Sequence, residues 1–135
     1  MIKPGTYVFG IGIDIIDTDR IEESVKKFGD RFLDRIFTPA ERSYCEARKP
    51  SSRHFAARFA AKEAIAKALG TGIGVHLEWR DMEILRDEAG KPYVTLSGNG
   101  KDFADENKIR EILISLSHAD NHAAANALAV AEIGA

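Results

Sequence analysis

Cysteine is almost absent from this sequence of 135 residues, and that scarcity excludes several kinds of protein. Cys45 is the only cysteine, so an intrachain disulfide is excluded and a reducing compartment is favoured. Uncharged, largely apolar runs such as 123–131 are far too short to span a bilayer. The stretch from Met1 to Gly5 lacks the basic and then apolar layout of a secretory signal. We therefore expect a cytoplasmic protein without a membrane segment.

Net charge is also small. The chain carries 19 Lys and Arg against 21 Asp and Glu, a formal net charge of −2. No overall field attracts it to nucleic acid or to an anionic membrane, so any electrostatic recognition must come from a local patch. The sequence has no internal repeat, low-complexity tract or linker, and its length is that of one domain. We predict a single domain over residues 1–135 and no nucleic-acid partner.

The first half of the chain predicts one strand followed by helices. Residues 7–16 are rich in β-branched and aromatic side chains and predict a buried strand. Helices are predicted at 19–28, starting from an Asp19–Glu22 capping box, at 30–37, and at 38–47 behind Thr38 and Pro39. The longest helix is predicted at 53–69, capped by Ser51 or Ser52 and stopped by Gly70.

The second half predicts two hairpins around a short helix. Strands are expected at 82–86 and 93–96, a helix from Ser97 to about 107, and strands at 112–117 and 124–133. Helices packed on one side of a mainly antiparallel sheet define an α+β fold.

The longest helix presents the most informative side chains. Glu63 and Lys67 lie one turn apart at the edge of an apolar stripe, beside the small residues at 56, 60 and 64. One interpretation is a surface ion pair worth roughly 0.3–0.5 kcal/mol. The other is a carboxylate and an ammonium on the wall of a ligand site with only methyl groups nearby.

Asp14, in an apolar strand, is costly unless it is paired, hydrogen-bonded or bound to a metal. Two carboxylates from separate elements form the open oxygen shell that Mg²⁺ prefers.

A basic stripe is predicted near the N-terminus. If residues 19–36 keep helical phase through Gly29, then Arg20, Lys27, Arg31 and Arg35 align beside an apolar strip. This stripe is either a solvated helix face or a ridge for docking an acidic helix.

Several segments, in order along nearly the whole chain, resemble the holo-acyl-carrier-protein synthases. They are Gly12-Ile13-Asp14-Ile15, Phe37-Thr38-Pro39-Ala40-Glu41, the helix block from Arg58 to Gly70, Gly70-Thr71-Gly72-Ile73-Gly74, Gly90-Lys91-Pro92 and Ser115-Leu116-Ser117-His118. The resemblance implies a 4'-phosphopantetheinyl transferase fold and a homotrimer with coenzyme A bound in clefts between subunits. The implied reaction transfers 4'-phosphopantetheine from coenzyme A to a serine of an acyl carrier protein, in fatty acid biosynthesis.

The resemblance also implies roles for individual residues. Asp14 and Glu63 match Mg²⁺ ligands, and Lys67 matches a residue that contacts the transferred phosphate; Glu63 and Lys67 are the expected catalytic residues. Expected coenzyme A contacts are Arg48 and Lys49, which match basic residues for the ribose 3'-phosphate. The other expected contacts are Arg58, Lys67, Gly90, Lys91, Pro92 and His118. Arg20, with Lys27 and Arg31, is expected to dock the carrier. The proton acceptor stays open among Glu63, Glu41 and a metal-bound water, with Glu63 acting through a water favoured.

Two other functions fit the same residues. A metal-dependent phosphodiesterase using Asp14 and Glu63 would hydrolyse coenzyme A without a carrier. A non-catalytic module would use the basic stripe to bind acidic carrier helices, unaffected by Mg²⁺ or coenzyme A.

Overall fold

The computed structural model describes residues 3–134. Its elements follow the predicted order: β1 (Thr6–Asp17), α1 (Thr18–Phe28), α2 (Asp30–Ile36), α3 (Pro39–Glu46), α4 (Ser51–Leu69), β2 (Met82–Arg86), β3 (Pro92–Leu96), α5 (Gly98–Glu106), β4 (Ile109–Ala119) and β5 (His122–Glu132). A 3₁₀ turn, Trp79–Asp81, precedes β2. Within this part of the chain, no helix is long and apolar enough to cross a membrane.

The strands form two antiparallel sheets. β1, β5 and β4 lie side by side in that order, and β2 pairs with β3 in a separate hairpin. In the larger sheet Asp14 lies opposite Ala125, which in turn lies opposite Leu116. Ile16, Ala123 and His118 are aligned in the same way two residues further on. Residues directly opposite one another share a face, so Asp14 and His118 project from the same side of the sheet. The α+β prediction is confirmed.

Helix α4 is the centre of the molecule. It packs across β1, β5 and β4, and α1 and α3 pack against it in turn. Most of its side chains are buried, including Ala56, Ala60, Ala64, Ile65 and Leu69. A helix that is buried on most sides is a core helix, which is why its alanines face protein and not solvent.

Two predicted helix starts are wrong. Helix α1 begins one residue early, because the carboxylate of Asp17, and not Asp19, accepts the capping hydrogen bond from the Asp19 amide at 2.9 Å. Helix α4 already includes Ser51 and Ser52, and its N-cap, Pro50, supplies no side-chain hydrogen bond. The Thr38 prediction is confirmed as a full capping box with Glu41. Gly70 ends α4 in the left-handed conformation, at φ 77°.

The assumption of continuous helical phase through Gly29 is also wrong. Gly29 has φ 57° and ψ −132°, which separates α1 from α2. Arg20 and Lys27 therefore belong to one helix and Arg31 and Arg35 to another. α2 is tied to α3 by Arg42, whose guanidinium contacts Asp30 at 2.9 Å and Asp34 at 2.6 Å. Those bonds, with that to Glu46, raise the pKa of Arg42 further above its ordinary value.

Candidate active site

Close packing of β1 on α4 builds the first part of the site. A Cβ added to Gly12 would lie 2.0 Å from the Ala64 carbonyl oxygen, and one added to Gly10 would lie 2.0 Å from that of Ala68. Only glycine permits backbone to approach backbone this closely. Asp14, two residues after Gly12, consequently projects toward the helical turns that carry Glu63 and Lys67. Sequence spacing alone does not place Asp14 beside Glu63 and Lys67, and the packing of β1 on α4 brings them together.

Lys67 is bound to β1 and not to its helical neighbour. Its Nζ donates to the Ile13 carbonyl oxygen at 2.9 Å and to the Asp14 carboxylate at 3.2 Å. The Asp14 side chain is 20% exposed and that of Lys67 is 53% exposed, so a ligand can reach both. The simple Glu63–Lys67 surface pair is not among the salt bridges of the described residues. Sequence spacing suggested the wrong partner for Lys67 because it carries no information about β1.

Glu63 is a carboxylate in an unfavourable place. Its pKa is raised above the ordinary value by burial first and by the negative charge of Asp14 second, while Lys67 lowers it. Two carboxylates that repel each other are stabilised by an added cation. Within residues 3–134, no three His, Cys, Asp or Glu side chains are grouped to hold a metal. Asp14 and Glu63 would thus supply only part of a coordination shell, which fits Mg²⁺ because that ion usually retains water and substrate oxygens.

The face of small residues is not the wall of a ligand site. Ala56, Ala60 and Ala64 are fully buried. Their small size serves the packing of α4 into the core, where β1 approaches the turn at Ala64 through Gly12. The prediction that these methyl groups leave room for a bulky ligand is therefore wrong.

A second group of side chains lies toward the start of α4. Arg58 is 1% exposed, and its Nε donates to the Ile84 carbonyl oxygen at 3.1 Å. Its guanidinium carbon lies 4.1 Å from the ring centre of Tyr44, and that of Arg48 lies 3.5 Å from the same ring. Arg48 also donates to the Tyr44 carbonyl oxygen. The Arg58 Nη2 atom is buried and has no hydrogen-bond partner, an arrangement that is costly without a ligand.

Histidines and a third arginine complete this basic cluster, defined as Arg48, His54, Arg58, Arg86 and His118. The His54 ring centre lies 6.0 Å from that of His118 and 6.1 Å from that of Tyr44. Arg86 donates to the Gly90 carbonyl oxygen at 2.7 Å, which connects the cluster to the exposed Gly90-Lys91-Pro92 turn. Lys49 is exposed next to Arg48. Arg58, Arg48, Lys49, His118 and the turn had been predicted; His54, Arg86 and Tyr44 had not.

Glu41 is excluded as the proton acceptor by its surroundings. Its carboxylate is fully buried and accepts from Lys62 Nζ at 2.7 Å, from the Thr38 amide at 2.9 Å and from the Ile84 amide at 2.8 Å. Lys62, equally buried, also donates to the carbonyl oxygens of Ile36 and Trp79. These bonds join α2, α3, α4 and β2, so the pair is structural. Burial also raises the pKa of the Cys45 thiol to about 11, which rules out a reactive thiolate there at neutral pH.

The predicted docking residues are on the surface. Arg20, Lys27 and Arg31 are exposed, and none takes part in a salt bridge within residues 3–134. Lys27 Nζ lies 5.2 Å from the ring centre of Phe28, which is 48% exposed. Two cations and an aromatic ring thus lie on the exposed surface of α1, and Arg31 is the second residue of α2.

The sheet face opposite α4 is apolar and uncovered, so the predicted strand at 7–16 is present but the prediction that it is buried is wrong for this face. Ile11, Ile13 and Ile15 are each about two-thirds exposed, at 69%, 69% and 67%. Ile11 and Ile13, together with Leu113 and Leu128, line a groove of about 760 Å³, at one side of which lies Lys67. A polar pair, in which the Ser115 hydroxyl donates to the Asn126 side-chain oxygen at 2.6 Å, also lines it. Exposed apolar areas of this kind mark surfaces that bind other molecules.

Comparison with known proteins agrees with this architecture. The family model of the 4'-phosphopantetheinyl transferase superfamily matches residues 10–127. The chain is 50% identical, over 121 residues, to a holo-acyl-carrier-protein synthase of Alkaliphilus oremlandii, covering 90% of this chain and 98% of the relative. The crystal structure of the Neisseria meningitidis synthase superposes with a TM-score of 0.86 at 36% identity, covering 91% of this chain and 98% of that one.

A third comparison concerns a complex. The Helicobacter pylori synthase, solved with coenzyme A, has a TM-score of 0.80 at 38% identity and covers 88% of this chain and 98% of its own. Matches of this extent, in sequence and in structure, assign the family: the chain belongs to the 4'-phosphopantetheinyl transferase superfamily.

Proposed function

We propose that this chain is a holo-acyl-carrier-protein synthase, which transfers 4'-phosphopantetheine from coenzyme A to a serine of an apo-acyl carrier protein and releases 3',5'-ADP. The observation that carries the proposal is the meeting of Asp14, Glu63 and Lys67 where β1 crosses α4. Two carboxylates and a lysine at one accessible point are the groups needed to bind and activate a pyrophosphate. A cytoplasmic role in fatty acid biosynthesis follows from that reaction.

Asp14 and Glu63 are the proposed ligands of Mg²⁺. When bound, the ion would neutralise phosphate oxygens and favour displacement at phosphorus. Lys67 contacts the transferred phosphate and stabilises charge that develops on it. Its present bond to Asp14 holds the ammonium group beside the place where the phosphate binds. Most of the catalytic effect then comes from positioning, as is general for phosphoryl transfer.

Glu63 is the proposed acceptor of the serine proton, acting through a water. Burial is the main cause that raises the pKa of Glu63, and it still acts when a cation offsets the repulsion from Asp14, so Glu63 is a stronger base than an exposed carboxylate. The serine oxygen forms a bond to the β-phosphorus as the bond from that phosphorus to the bridging oxygen breaks. The proton passes to Glu63, and the electron pair leaves with 3',5'-ADP.

The basic cluster is the proposed site for the nucleotide end of coenzyme A. Its three guanidinium groups bond to backbone carbonyls, and no carboxylate of the described residues forms a salt bridge with them. The buried, unpartnered Nη2 of Arg58 supports binding of an oxygen ligand at this point. Lys49 and the Gly90-Lys91-Pro92 turn border the same site. A bound coenzyme A is recorded for the Helicobacter pylori relative.

Carrier docking is proposed for the outer side of α1, through Arg20, Lys27 and Arg31. Acyl carrier proteins are acidic, and this protein, at a net charge of −2, attracts them only through a local positive surface. The exposed Phe28 supplies an apolar contact beside these charges.

A homotrimer is the proposed assembly. The uncovered face of β1, β5 and β4 supports self-association, because burying its isoleucines removes a large apolar area from water. The stoichiometry of three follows from the resemblance to the synthases. Sites between subunits would require this face to be covered before the enzyme is active.

The test is mass spectrometry of an apo-carrier incubated with coenzyme A and Mg²⁺. The wild-type protein should add one phosphopantetheine mass to a single serine and release 3',5'-ADP. Asp14→Asn and Glu63→Gln should lose this activity at every Mg²⁺ concentration, whereas Glu106→Gln, on the exposed side of α5, should keep it. Hydrolysis of coenzyme A with an unmodified carrier would instead favour a phosphodiesterase. Carrier binding without any product would favour a docking module.

Measuring the stability of the variants shows whether a loss of activity comes from lost chemistry or from unfolding. When the pKa of a carboxyl group is higher in the folded than in the unfolded state, the group stabilises the fold at pH values below its unfolded-state pKa. This stabilisation is lost as the pH rises through its folded-state pKa. At pH 7 Glu63→Gln removes a repulsion from Asp14, so it should be at least as stable as the wild type in urea. Near wild-type transfer by both variants at limiting Mg²⁺ would refute the metal assignment.

A further inference from the structure

His54 lies among cations with no acidic partner. The groups that face it come from every surrounding element: Tyr44 and Arg48 from α3 and the residues after it, Arg58 from α4, Arg86 from β2 and His118 from β4. None of the three arginines is neutralised by a carboxylate within residues 3–134. Such a concentration of positive charge at the start of α4 favours the binding of an anion.

From this arrangement we infer that His54 is a further ligand for the ribose 3'-phosphate of coenzyme A, and that its imidazole takes up a proton as the phosphate binds. The inference rests on the proposed function and deepens it. A phosphate fits a cluster of arginines and histidines because it accepts several hydrogen bonds at once and carries up to two negative charges.

The position of His54 along α4 indicates which phosphate of coenzyme A it contacts. His54 precedes Glu63 by nine residues, which is about 14 Å along the helix axis. Glu63, Lys67 and Asp14 hold the reacting pyrophosphate at one end of the site. The other phosphate of coenzyme A is on the ribose 3'-oxygen. The resemblance to the synthases implies that Arg48 and Lys49 contact it, and His54 packs on the same tyrosine ring as Arg48.

The electrostatics give the direction of the coupling. In the free protein, burial and then the charges of Arg58, His118, Arg48 and Arg86 lower the pKa of His54. His54 is therefore mainly neutral at pH 7. A phosphate dianion reverses the sign of the local field, which raises the pKa of His54 and favours the imidazolium form, with both ring nitrogens as donors. Binding and protonation then strengthen each other.

The direct measurement is the NMR titration of the four histidine side chains. His54→Gln identifies the resonance, and pKa values are compared in the free protein, with 3',5'-ADP and with dephospho-coenzyme A. We expect 3',5'-ADP to raise the pKa of His54 by about one unit or more. Dephospho-coenzyme A, which lacks the 3'-phosphate, should leave it near its free value. An unchanged His54 pKa in the 3',5'-ADP complex, or an equal rise with dephospho-coenzyme A, overturns the inference.

Affinity for coenzyme A gives a second readout. Because a one-unit rise corresponds to a tenfold change in binding constant, the wild type should gain about tenfold over His54→Gln as pH falls from 8 to 5.5. At pH 8, where His54 is neutral, the two proteins should bind similarly. The 3'-phosphate itself titrates near pH 6, which also makes coenzyme A affinity depend on pH. This effect is the same for wild type and His54→Gln, so it cancels in the ratio of their affinities.

Control experiments distinguish a failure of this inference from a failure of the proposed function. His76→Gln, in the loop beside Phe103, should reproduce the wild-type pH profile. A loss of affinity in His54→Gln that is equal at all pH values would mean that His54 only packs against Tyr44 and His118, and the inference would be wrong. If 3',5'-ADP and coenzyme A leave every resonance unchanged, the nucleotide site itself fails, and with it the proposed function.

Discussion

Gly12→Ala tests the contact on which the whole site depends. The added Cβ would lie 2.0 Å from the Ala64 carbonyl oxygen and 2.9 Å from both the Ala68 amide nitrogen and the Lys67 Cβ. Ordinary contact begins at 3.4 Å, so β1 and α4 must separate by more than 1 Å. Overpacking of this kind costs about 1–3 kcal/mol, and the upper part of that range applies because the obstacle is backbone. Reduced freedom of the unfolded chain returns about 0.4–1 kcal/mol.

The expected net effect is a loss of about 2 kcal/mol in the free energy of unfolding, measured by urea denaturation. Transfer should decrease further than the folded fraction does, because Asp14 moves away from Glu63 and Lys67 together with the strand. Gly74→Ala is the matched control for stability: its Cβ meets open space, and its φ lies outside the left-handed region. A Gly12→Ala protein that is within 0.5 kcal/mol of the wild type (about the error of such comparisons) and fully active would refute the close-packing argument.

Two further predictions concern surfaces. Arg20→Glu should raise the KM for the carrier by about tenfold at low salt, with little change in coenzyme A affinity. Added salt should reduce the difference in KM between variant and wild type. Equal carrier kinetics for the two proteins would show that this surface is only a solvated helix face. Lys101→Glu, on α5, is its control. Ile13→Glu should dissociate the proposed trimer, as measured by light scattering, and its transfer activity should fall on dilution. Thr95→Glu, at an exposed position on β3, should change neither the mass nor the activity. An Ile13→Glu protein of unchanged mass would remove the sheet face from the assembly.

Most of the architecture could be predicted because the relevant signals are local. Three of these signals are the β-branched and aromatic residues of β1, the turn residues between β2 and β3, and the Thr38 cap before Pro39. Each lies within a few residues of the structure that it specifies. The predicted bounds of α2 and α3 differ by at most one residue from those observed. The strands β4 and β5 are longer than predicted, because pairing with each other and with β1 continues the ladder through residues of weak strand propensity.

The errors occur where two local solutions compete. Asp17 and Asp19 both precede α1, and the choice of Asp17 follows from the end of β1, which the chain pattern does not mark. Gly29 permits a break in the helix without requiring one. The alternatives for Lys67 likewise depended on β1, which lies more than fifty residues away in the sequence.

The site was predicted only in part for the same reason. Asp14, Glu63 and Lys67 came from the resemblance to a known family, but the basic cluster draws its members from α4, β2, β4 and the segment after α3. Tyr44, His54 and Arg86 carry no motif. The density of basic and aromatic residues between 44 and 58 could have suggested Tyr44 and His54, but no local signal indicates Arg86. Glu41, a candidate base by residue type, is excluded by Lys62, whose burial no local signal predicts.

The alternation of β1 ties catalysis to assembly. Even-numbered positions from Gly12 to Ile16 face α4 and include Asp14, while Ile11, Ile13 and Ile15 form the outer surface. Deleting one residue inside this segment would exchange the two sets, burying isoleucine against the helix and exposing the carboxylate to a neighbouring subunit. The bulge between Val8 and Gly10 lies upstream, where a change in chain length can be absorbed before the exchange begins. Length variation among functional descendants of this chain should therefore accumulate before Gly10 and be excluded from the next six positions.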